Sequence, residues 1–324
     1  MQKSINWGIL GCGGIAHKFV QDMALVPEAN LIAVASRDQQ RADEFGNQYQ
    51  AKNCYGSYLE LVQDPEVEVI YVATRHPQHA EATLLCLENG KAVLCEKPFG
   101  MNEGEVRQMI NMAKEKNLFL MEALWTYFIP ATVKMMSLIE EGLIGDIRTV
   151  NADFGYLGNK DPKGRLFNKE LGGGSLLDIG IYPLFMSLMT LGMPEKIQAS
   201  AVFSDTEVDE SCAMILDYSS GALAVLNSTF AANTQVEAWI HGTKGSLKLH
   251  RMFHFASALS YYKNGELVET FEIPVLGHGY SHEIIHVNEC LGKGLKESPT
   301  MTHDISLNLI NLLDFVREKI GLDY

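Results

Sequence analysis

The part of this chain that most constrains its fold is residues 5–16, INWGILGCGGIA, in which an apolar run ends in closely spaced glycines. The spacing G-x-G-x-x-A predicts a strand, a tight turn and a helix, an arrangement that cradles the pyrophosphate of a dinucleotide. Gly11 permits the turn, Gly13 lets the main chain approach the phosphates, and Ala16 lets the helix pack closely on the sheet. The start of the helix presents free N–H groups and a positive dipole end. We therefore predict a cofactor-binding turn formed by Gly11, Gly13, Gly14, Ile15 and Ala16.

The rest of the sequence shows two patterns. Up to residue 123, apolar strand patterns alternate with helix patterns, which predicts a doubly wound parallel sheet, a Rossmann domain over residues 1–123. Residues 124–324 carry several strand-like runs with alternating apolar residues, followed by two helices. We predict that they form an α/β domain with a large, mostly antiparallel sheet that is open on one face. The fold class is thus α/β.

Composition narrows the possible partners. The net charge of -14 argues against nucleic acid and against an anionic membrane as partners. The N-terminal residues show no signal-peptide pattern, and no uninterrupted apolar run has the length of a membrane span. The six cysteines are scattered without a C-x-x-C pair, which is typical of a reducing compartment. We expect a cytoplasmic protein that acts on a small molecule.

The end of the second predicted strand, residues 29–36, indicates which dinucleotide binds. NAD-specific sites carry an acidic residue here that binds the ribose 2′-hydroxyl, whereas this chain has Ser36 and Arg37. A hydroxyl and a guanidinium suit a 2′-phosphate, so we favour NADP over NAD. Two alternatives stay open: Arg37 is a solvated loop residue, or Asp38 binds the ribose in another geometry.

A third strand end is expected to face the nicotinamide, because ligands bind at the carboxyl ends of the strands in such sheets. The strand at residues 67–74 ends at Thr74, and both Thr74 and Pro77 are candidates to line the nicotinamide ribose. His79 follows at the start of the next helix. A cofactor-binding role and a purely structural role are equally compatible with its position.

The next predicted strand runs into Glu96-Lys97-Pro98. Proline keeps the residue before it extended, and its peptide bond can be cis. A partly buried lysine beside a nicotinamide ring has a lowered pKa, so Lys97 could transfer a proton or hold a substrate hydroxyl. The alternative is a loop lysine that precedes a turn. We count Glu96 and Lys97 as candidate cofactor-binding residues, and Lys97 also as a catalytic candidate.

The second domain contributes candidates at a glycine-rich helix start. Residues 172–182 read GGGSLLDIGIY, which predicts a helix that carries Asp178 and Tyr182. These two residues are spaced i and i+4, so we expect them on one face of that helix. Asp178 is either functional or an acid that is favoured near a helix N-terminus.

Together these motifs resemble the glucose–fructose oxidoreductase / inositol dehydrogenase (Gfo/Idh/MocA) family. The likeness extends over nearly the whole chain. It is carried by the glycine turn, Ser36-Arg37, Glu96-Lys97-Pro98, residues 172–182 and the turn HGTKGS at residues 241–246.

Within this family the chain looks most like the dimeric dihydrodiol dehydrogenases, through residues 120–126 and 289–299. The resemblance implies an N-terminal Rossmann domain, and a C-terminal substrate-binding and dimerisation domain whose open sheet forms a homodimer or higher oligomer. It also implies that Lys97 and Tyr182 carry proton transfer. Many members have histidine in place of Tyr182 and aspartate in place of Phe185. This departure argues against inositol-like substrates and favours aldoses or trans-dihydrodiols.

These features predict an NAD(P)-dependent oxidoreductase that moves a hydride between nicotinamide C4 and a hydroxyl-bearing carbon. We assign Tyr182 as the acid/base. Lys97 then lowers its pKa or shares the proton, since a free tyrosine titrates near pH ~10. Asp178 is predicted to bond Lys97 or a substrate hydroxyl. Weaker candidates for the walls of the cofactor and substrate pocket are Trp125, Phe154 and Arg165.

Two other functions were weighed against this one. A cofactor-binding sensor without turnover would not need both Lys97 and Tyr182. A zinc hydrolase is suggested by His282-Glu283-Ile284-Ile285-His286, which matches H-E-x-x-H. No third ligand follows at the usual spacing, and a motif this short arises by chance. We therefore predict no metal site.

Overall fold

The computed structural model describes residues 4–324. Contacts divide the chain into two compact units. Unit 1 contains the residues up to Trp125 together with Leu276–Leu307, and unit 2 contains Thr126–Val275 together with Asn308–Tyr324. Each unit is organised around its own β-sheet.

Unit 1 is built on a six-stranded sheet in which the neighbouring strands are parallel. Its strands are β1 (Ile5–Leu10), β2 (Ala29–Ala35), β3 (Asn53–Tyr55), β4 (Val69–Val72), β5 (Ala92–Glu96) and β6 (Leu120–Ala123). The spatial order is β3-β2-β1-β4-β5-β6. The order reverses between β1 and β4, and such a switch point is where these sheets bind ligands. The predicted Rossmann domain is confirmed, and its glycine turn lies at the switch point.

Helices connect the strands of unit 1. They are α1 (Gly14–Met23), α2 (Gln39–Tyr49), α3 (Tyr58–Gln63), α4 (His79–Glu88) and α5 (Glu103–Lys116). Side chains cap most of these helix starts, as Asn102 does by accepting a hydrogen bond from Glu105 N–H. α4 and α1 have no side-chain cap, and α1 begins directly after Gly13. Its first N–H groups are therefore suited to an anion.

Unit 2 is built on an eight-stranded sheet. Its strands are β7 (Ile147–Gly155), β8 (Lys196–Phe203), β9 (Asp209–Asp217), β10 (Leu223–Thr229), β11 (Ala238–Gly242), β12 (Ser246–Leu249), β13 (Ala258–Lys263) and β14 (Glu266–Glu272). The order is β14-β13-β12-β11-β7-β10-β9-β8, with β7 parallel to β10 and the other pairs antiparallel. This confirms the predicted, mostly antiparallel sheet. The sequence pattern did not predict β14, because this edge strand is exposed on both faces and lacks apolar alternation.

The remaining helices are α6 (Pro130–Glu140), α7 (Ile181–Leu191), α8 (Tyr280–Gly292) and α9 (His303–Ile320). α6 and α7 pack on one face of the unit 2 sheet. Side chains alternate along β10, with Ala224 and Leu226 buried while Val225 is 46% exposed. The sheet is therefore open on its other face, as predicted.

One segment of unit 2, Lys169–Leu191, is long and apolar enough to cross a membrane by length and composition. However, 83% of its most apolar window is buried inside the protein. Within it, every residue from Ile181 to Leu188 is buried. The segment is therefore a core helix of unit 2, where apolar residues on all sides are expected.

Residues 276–307 belong to unit 1, whereas the sequence pattern assigned all of residues 124–324 to the second domain. The structure shows why, because α8 packs on α1. Asp22 accepts hydrogen bonds from the N–H groups of His278 and Ser281 at 2.7 and 3.1 Å. These bonds join the beginning of the chain to its last part, a pairing that no local pattern reveals.

Candidate functional site

The turn after β1 has the geometry that a dinucleotide needs. Gly11 has a φ of +102°, and a Cβ there would lie 2.8 Å from Ala73 O, so only glycine fits. A Cβ at Gly13 or Gly14 would meet no atom of the described residues within 4 Å. The turn is thus open where the uncapped helix begins, and Ala16 is fully buried behind it. These residues fit a bound pyrophosphate.

The charges of Arg37 and Arg41 act on the phenol of Tyr58 at the end of β2. Asp38 caps α2, since its Oδ1 accepts a hydrogen bond from Arg41 N–H at 3.3 Å, and its own N–H donates to Ser36 Oγ at 3.3 Å. Tyr58 is hydrogen-bonded to Arg37. Burial raises the pKa of Tyr58, and the charges of Arg37 and Arg41 partly offset this. Sequence reasoning missed Arg41 and Tyr58, although Arg41 follows Arg37 by one helical turn.

The main chain around Lys97 is held by carboxylates of unit 1. Lys97 N–H donates to Glu96 Oε2 at 3.2 Å, and Phe99 N–H donates to Glu122 Oε1 at 3.1 Å. The Lys97–Pro98 peptide bond is cis. Two acidic residues therefore fix the course of the loop that carries the candidate lysine.

Glu122 was not among the predicted site residues. It is 2% exposed, and among residues 4–324 its Oε2 has no hydrogen-bond partner. Burial raises its pKa to about 7, whereas Ser306 and the hydrogen bond from Phe99 N–H lower it. An acidic residue inside the apolar strand β6 was the signal that could have revealed it.

His79 links the loops that follow β4 and β5. Its ring is 1% exposed, Nδ1 lies 2.7 Å from Pro98 O, and Nε2 lies 3.2 Å from Thr74 O. Burial lowers the pKa of His79 to about 4, while the hydrogen bonds to the two carbonyls raise it. His79 therefore has a structural role, and its contact with a cofactor stays a prediction.

Thr74 and Pro77 lie where the nicotinamide ribose is expected. Pro77 is in a short 3-10 turn, His76–Gln78, that leads into α4. Thr74 Oγ1 is buried, and among residues 4–324 it has no hydrogen-bond partner. A buried hydroxyl without a partner is costly. Its place beyond the carboxyl end of β4 fits a hydrogen bond to a bound cofactor.

Unit 2 holds Asp178 in a two-point ion pair. Arg165 Nη1 lies 2.6 Å from Asp178 Oδ1, and Nη2 lies 3.2 Å from Oδ2. Burial together with the charge of this carboxylate raises the pKa of Tyr156. The Asp178 side chain is 10% exposed and that of Arg165 is 49% exposed. Sequence reasoning named Asp178 and Arg165 separately and did not predict the pair.

The helix that carries Tyr182 starts with a π-helical turn, Leu176–Gly180, before α7 begins. Asp209, which is fully buried, accepts hydrogen bonds from Ser175 Oγ at 2.8 Å and Leu176 N–H at 2.7 Å. Burial raises the pKa of Asp209 to about 7. Asp209 lies on β9, so its hydrogen bonds to the start of this helix could not be predicted from the sequence.

Tyr182 is 5% exposed and contacts two other rings of unit 2. The ring centroids of Phe154 and His254 lie 5.6 and 4.9 Å from that of Tyr182. Phe154 and His254 also stack on each other, with centroids 4.4 Å apart. The phenol therefore belongs to an aromatic wall. Phe154 was a predicted pocket residue, whereas His254 was missed.

Trp125, the last residue of the first part of unit 1, stacks on Tyr280 of α8. Their ring centroids are 4.4 Å apart and the planes differ by 3°. Trp125 is 8% exposed. Its predicted contact with a cofactor or substrate stays a prediction.

The H-E-x-x-H pattern lies in α8, and its two histidines contact different partners. His282 Nε2 accepts a hydrogen bond from Leu276 N–H at 3.3 Å, while His286 Nε2 lies 2.7 Å from Ser298 Oγ. Within residues 4–324 no three potential metal ligands cluster. The arrangement offers no argument for zinc.

Two family profiles match the chain. One, an oxidoreductase family with an NAD-binding Rossmann fold, matches residues 5–124, and the other, the GFO/IDH/MocA C-terminal domain, matches residues 132–248. The chain belongs to the Gfo/Idh/MocA family. A trans-1,2-dihydrobenzene-1,2-diol dehydrogenase of Mus musculus is 40% identical over 333 residues, which cover 99% of this chain and 98% of that protein. The chain is therefore an NAD(P)-dependent oxidoreductase, as its motifs predict.

Two solved structures have the same fold as this chain. KijD10, a 3-ketoreductase from Actinomadura kijaniata solved with NADP and TDP-benzene, gives a TM-score of 0.88 at 26% identity, over 98% of each chain. An aldose–aldose oxidoreductase from Caulobacter crescentus gives 0.90 at 24% identity, again over 98% of each chain. The second likeness concerns the fold alone.

Proposed function

We propose that this oxidoreductase interconverts a hydroxyl and a carbonyl on a trans-dihydrodiol, with an aldose as the alternative substrate. The observation that carries the proposal is the setting of Tyr182, a buried phenol against the rings of Phe154 and His254. An aromatic wall of this kind suits a planar, unsaturated ring that bears hydroxyl groups. Full-length relatives named trans-1,2-dihydrobenzene-1,2-diol dehydrogenase support the same substrate class.

The reaction divides between the cofactor and the chain. When bound, NADP accepts or supplies the hydride at its nicotinamide ring. We assign the hydroxyl proton to Tyr182 Oη. Because a tyrosine is a poor base at neutral pH without a cation, we assign the charge that assists it to Lys97. The loop bonds at Lys97 N–H and Phe99 N–H support this role, since they fix where the lysine starts.

Asp178 is assigned to a substrate hydroxyl. Its carboxylate is oriented by Arg165 through two hydrogen bonds. A carboxylate has about four acceptor positions, which is more than the two that Arg165 uses. Holding the second hydroxyl of the diol there would orient the reacting carbon.

The cofactor is proposed to be NADP rather than NAD. Asp38, which is the acidic candidate for a ribose hydroxyl, is engaged in capping α2. Arg37, Arg41 and Tyr58 instead supply positive charge and a phenol at the end of β2, a set that suits a 2′-phosphate. The backbone turn and Thr74 Oγ1 would hold the pyrophosphate and ribose.

Replacing Arg37 by alanine is expected to raise KM for NADP by about tenfold to a hundredfold, as expected for losing a hydrogen bond between charged groups. KM for NAD should change by less than about threefold, because NAD has no 2′-phosphate. Steady-state kinetics with both cofactors measure this. Arg107→Ala is the control, since Arg107 pairs with Glu103 on the exposed side of α5. Equal changes for both cofactors would contradict the assignment.

The proposed function is tested by the appearance of reduced-nicotinamide absorbance. NAD or NADP is offered with trans-dihydrodiols, aldoses and inositols. Turnover of a dihydrodiol with NADP, faster than of any inositol, supports the proposal. Turnover of aldoses alone selects the alternative substrate. Cofactor binding without turnover across the set would favour a cofactor-binding sensor.

We also propose a homodimer, or a higher oligomer, formed through the open face of the unit 2 sheet. Val202, Ile215 and Val225 are 62, 42 and 46% exposed there, and exposed apolar groups of this kind mark interfaces. A monomer in sedimentation at micromolar concentration would contradict this.

A cytoplasmic location is supported by the six cysteines, all of them free thiols in the structure. Fractionation of cells tests it.

A further inference from the structure

Glu283 of the H-E-x-x-H pattern is a buried acid that the proposed reaction does not use. Its exposed fraction is 0%. Among residues 4–324 neither of its carboxylate oxygens has a hydrogen-bond partner. A carboxylate in that position would lose its hydration without compensation, which is among the costliest arrangements in a protein interior. Burial without a hydrogen-bond partner therefore favours the protonated, neutral form of Glu283.

The groups that act on Glu283 are themselves acidic. They are Glu96 of β5 and Asp22 of α1, and Glu283 acts in turn on the phenol of Tyr71 on β4. Tyr280, in the same helix as Glu283, acts in turn on Tyr71. Burial, and then the charges of Glu96 and Asp22, raise the pKa of Glu283 well above its usual range.

Aromatic rings line the same part of unit 1. Phe19 stacks on Tyr71 with centroids 3.6 Å apart, and it meets the edge of Tyr280 at 6.1 Å. Trp125 covers the other side of Tyr280 at 4.4 Å. These rings exclude water, so the charges of neighbouring carboxylates act strongly on one another.

Glu96 is the carboxyl group whose ionised form is stabilised by hydrogen bonds. Its Oε1 accepts a short hydrogen bond from Tyr71 Oη, and its Oε2 accepts one from Lys97 N–H at 3.2 Å. Glu283 accepts no comparable bond. Two adjacent buried carboxyl groups do not ionise together, so the better solvated member ionises and the other keeps its proton.

We propose that Glu283 is a positioning residue for Lys97: as a neutral acid it allows Glu96 to stay ionised and to hold the main chain at Lys97. The inference rests on the proposed function, in which Lys97 assists proton transfer. If Glu283 ionises at high pH, repulsion displaces Glu96 and releases the loop. Glu283 then sets an alkaline limit on cofactor binding and on turnover.

The test compares the same change at the two members of the pair, Glu283→Gln and Glu96→Gln. The first imitates the neutral acid, whereas the second removes the charged acceptor. At neutral pH, kcat of E96Q should fall below that of E283Q by about tenfold or more. In pH profiles, the alkaline fall of kcat should move upward by about one pH unit or more in E283Q relative to the unsubstituted enzyme.

Binding of NADPH, followed by fluorescence from pH 6 to pH 10, gives a readout that does not need turnover. The same upward displacement in E283Q is expected there. If no substrate is turned over, the proposed function fails, yet this titration still decides the inference. Equal losses of kcat in E283Q and E96Q would overturn the inference. It would also be overturned if the alkaline fall in NADPH binding occurred at the same pH in E283Q as in the unsubstituted enzyme.

Thermal melting shows whether the variants fold. It also checks the direction in which the pKa of Glu283 is shifted. The pKa of Glu283 is higher in the folded chain than the ~4.3 of an unfolded glutamate, so its protonation favours folding and stability is lost as pH rises above that value. Glutamine does not titrate. The melting temperature of E283Q relative to the unsubstituted protein should therefore rise between pH 5 and pH 8, and a constant difference would count against a neutral Glu283.

Discussion

Tyr182→Phe is expected to lower kcat by about 10³-fold, within the range that general acid–base catalysis contributes. The ring of Tyr182 packs against Phe154 and His254, and phenylalanine preserves those contacts. Only the hydroxyl to which we assign the proton is removed. The affinity for NADPH should therefore change by less than about threefold, because the substitution leaves the turn after β1 intact.

Steady-state kinetics on the best substrate of the panel, together with NADPH binding, measure this effect. The matched control is Tyr55→Phe, which removes a phenol hydroxyl that donates to Asp64 Oδ2 at 3.0 Å on the edge strand β3. That variant should keep kcat within about twofold, since surface changes of this kind are small. A Y182F enzyme that retains more than a tenth of the activity would exclude Tyr182 as the acid/base.

Lys97→Met is expected to produce the second largest effect, a fall in kcat of about 10²-fold to 10³-fold. Methionine keeps the length and the apolar part of the side chain but removes the ammonium group that we assign to proton transfer. The backbone bonds from Lys97 N–H to Glu96 and from Phe99 N–H to Glu122 do not involve that group. The loop should therefore keep its course, and the loss should appear mainly in kcat.

The same substitution at Lys116, an exposed residue in the last turn of α5, controls for the loss of one positive charge. Lys97→Arg adds a second check, because arginine keeps the charge and does not release its proton at accessible pH. Because Lys97 is assigned as the charge that assists Tyr182, arginine should recover part of the kcat lost in K97M, while cofactor affinity stays the same in both variants. If the activity of K97M is close to that of the unsubstituted enzyme, Lys97 is a loop residue without a catalytic role.

The Rossmann domain could be predicted from the sequence because its determinants are local. A φ of +102° at Gly11 and the open space around Gly13 are properties of one turn, and they appear in the sequence as glycines at fixed spacing. The parallel strands appear as short apolar runs between helix patterns. The edge strand β14 has no such signature, since its two faces are both exposed.

The assignment of residues 276–307 shows a different limit. These residues read as one helix and the start of a second after a sheet, and nothing in their own pattern says which sheet they cover. Contacts of α8 with α1, and the bonds of Asp22 to the start of α8, place them in unit 1. The pattern of a helix predicts which face is buried, but not the element against which it is buried.

The sequence by itself determined the fold class, the family and the residue types of the candidate site, because motif spacing and apolar periodicity are short-range properties. Only the tertiary structure decided which groups meet. It paired Asp178 with Arg165, set His254 beside Tyr182, and buried Glu283 near Glu96. Charge states depend on burial and on neighbours from distant parts of the chain, and the order of residues does not contain those distances.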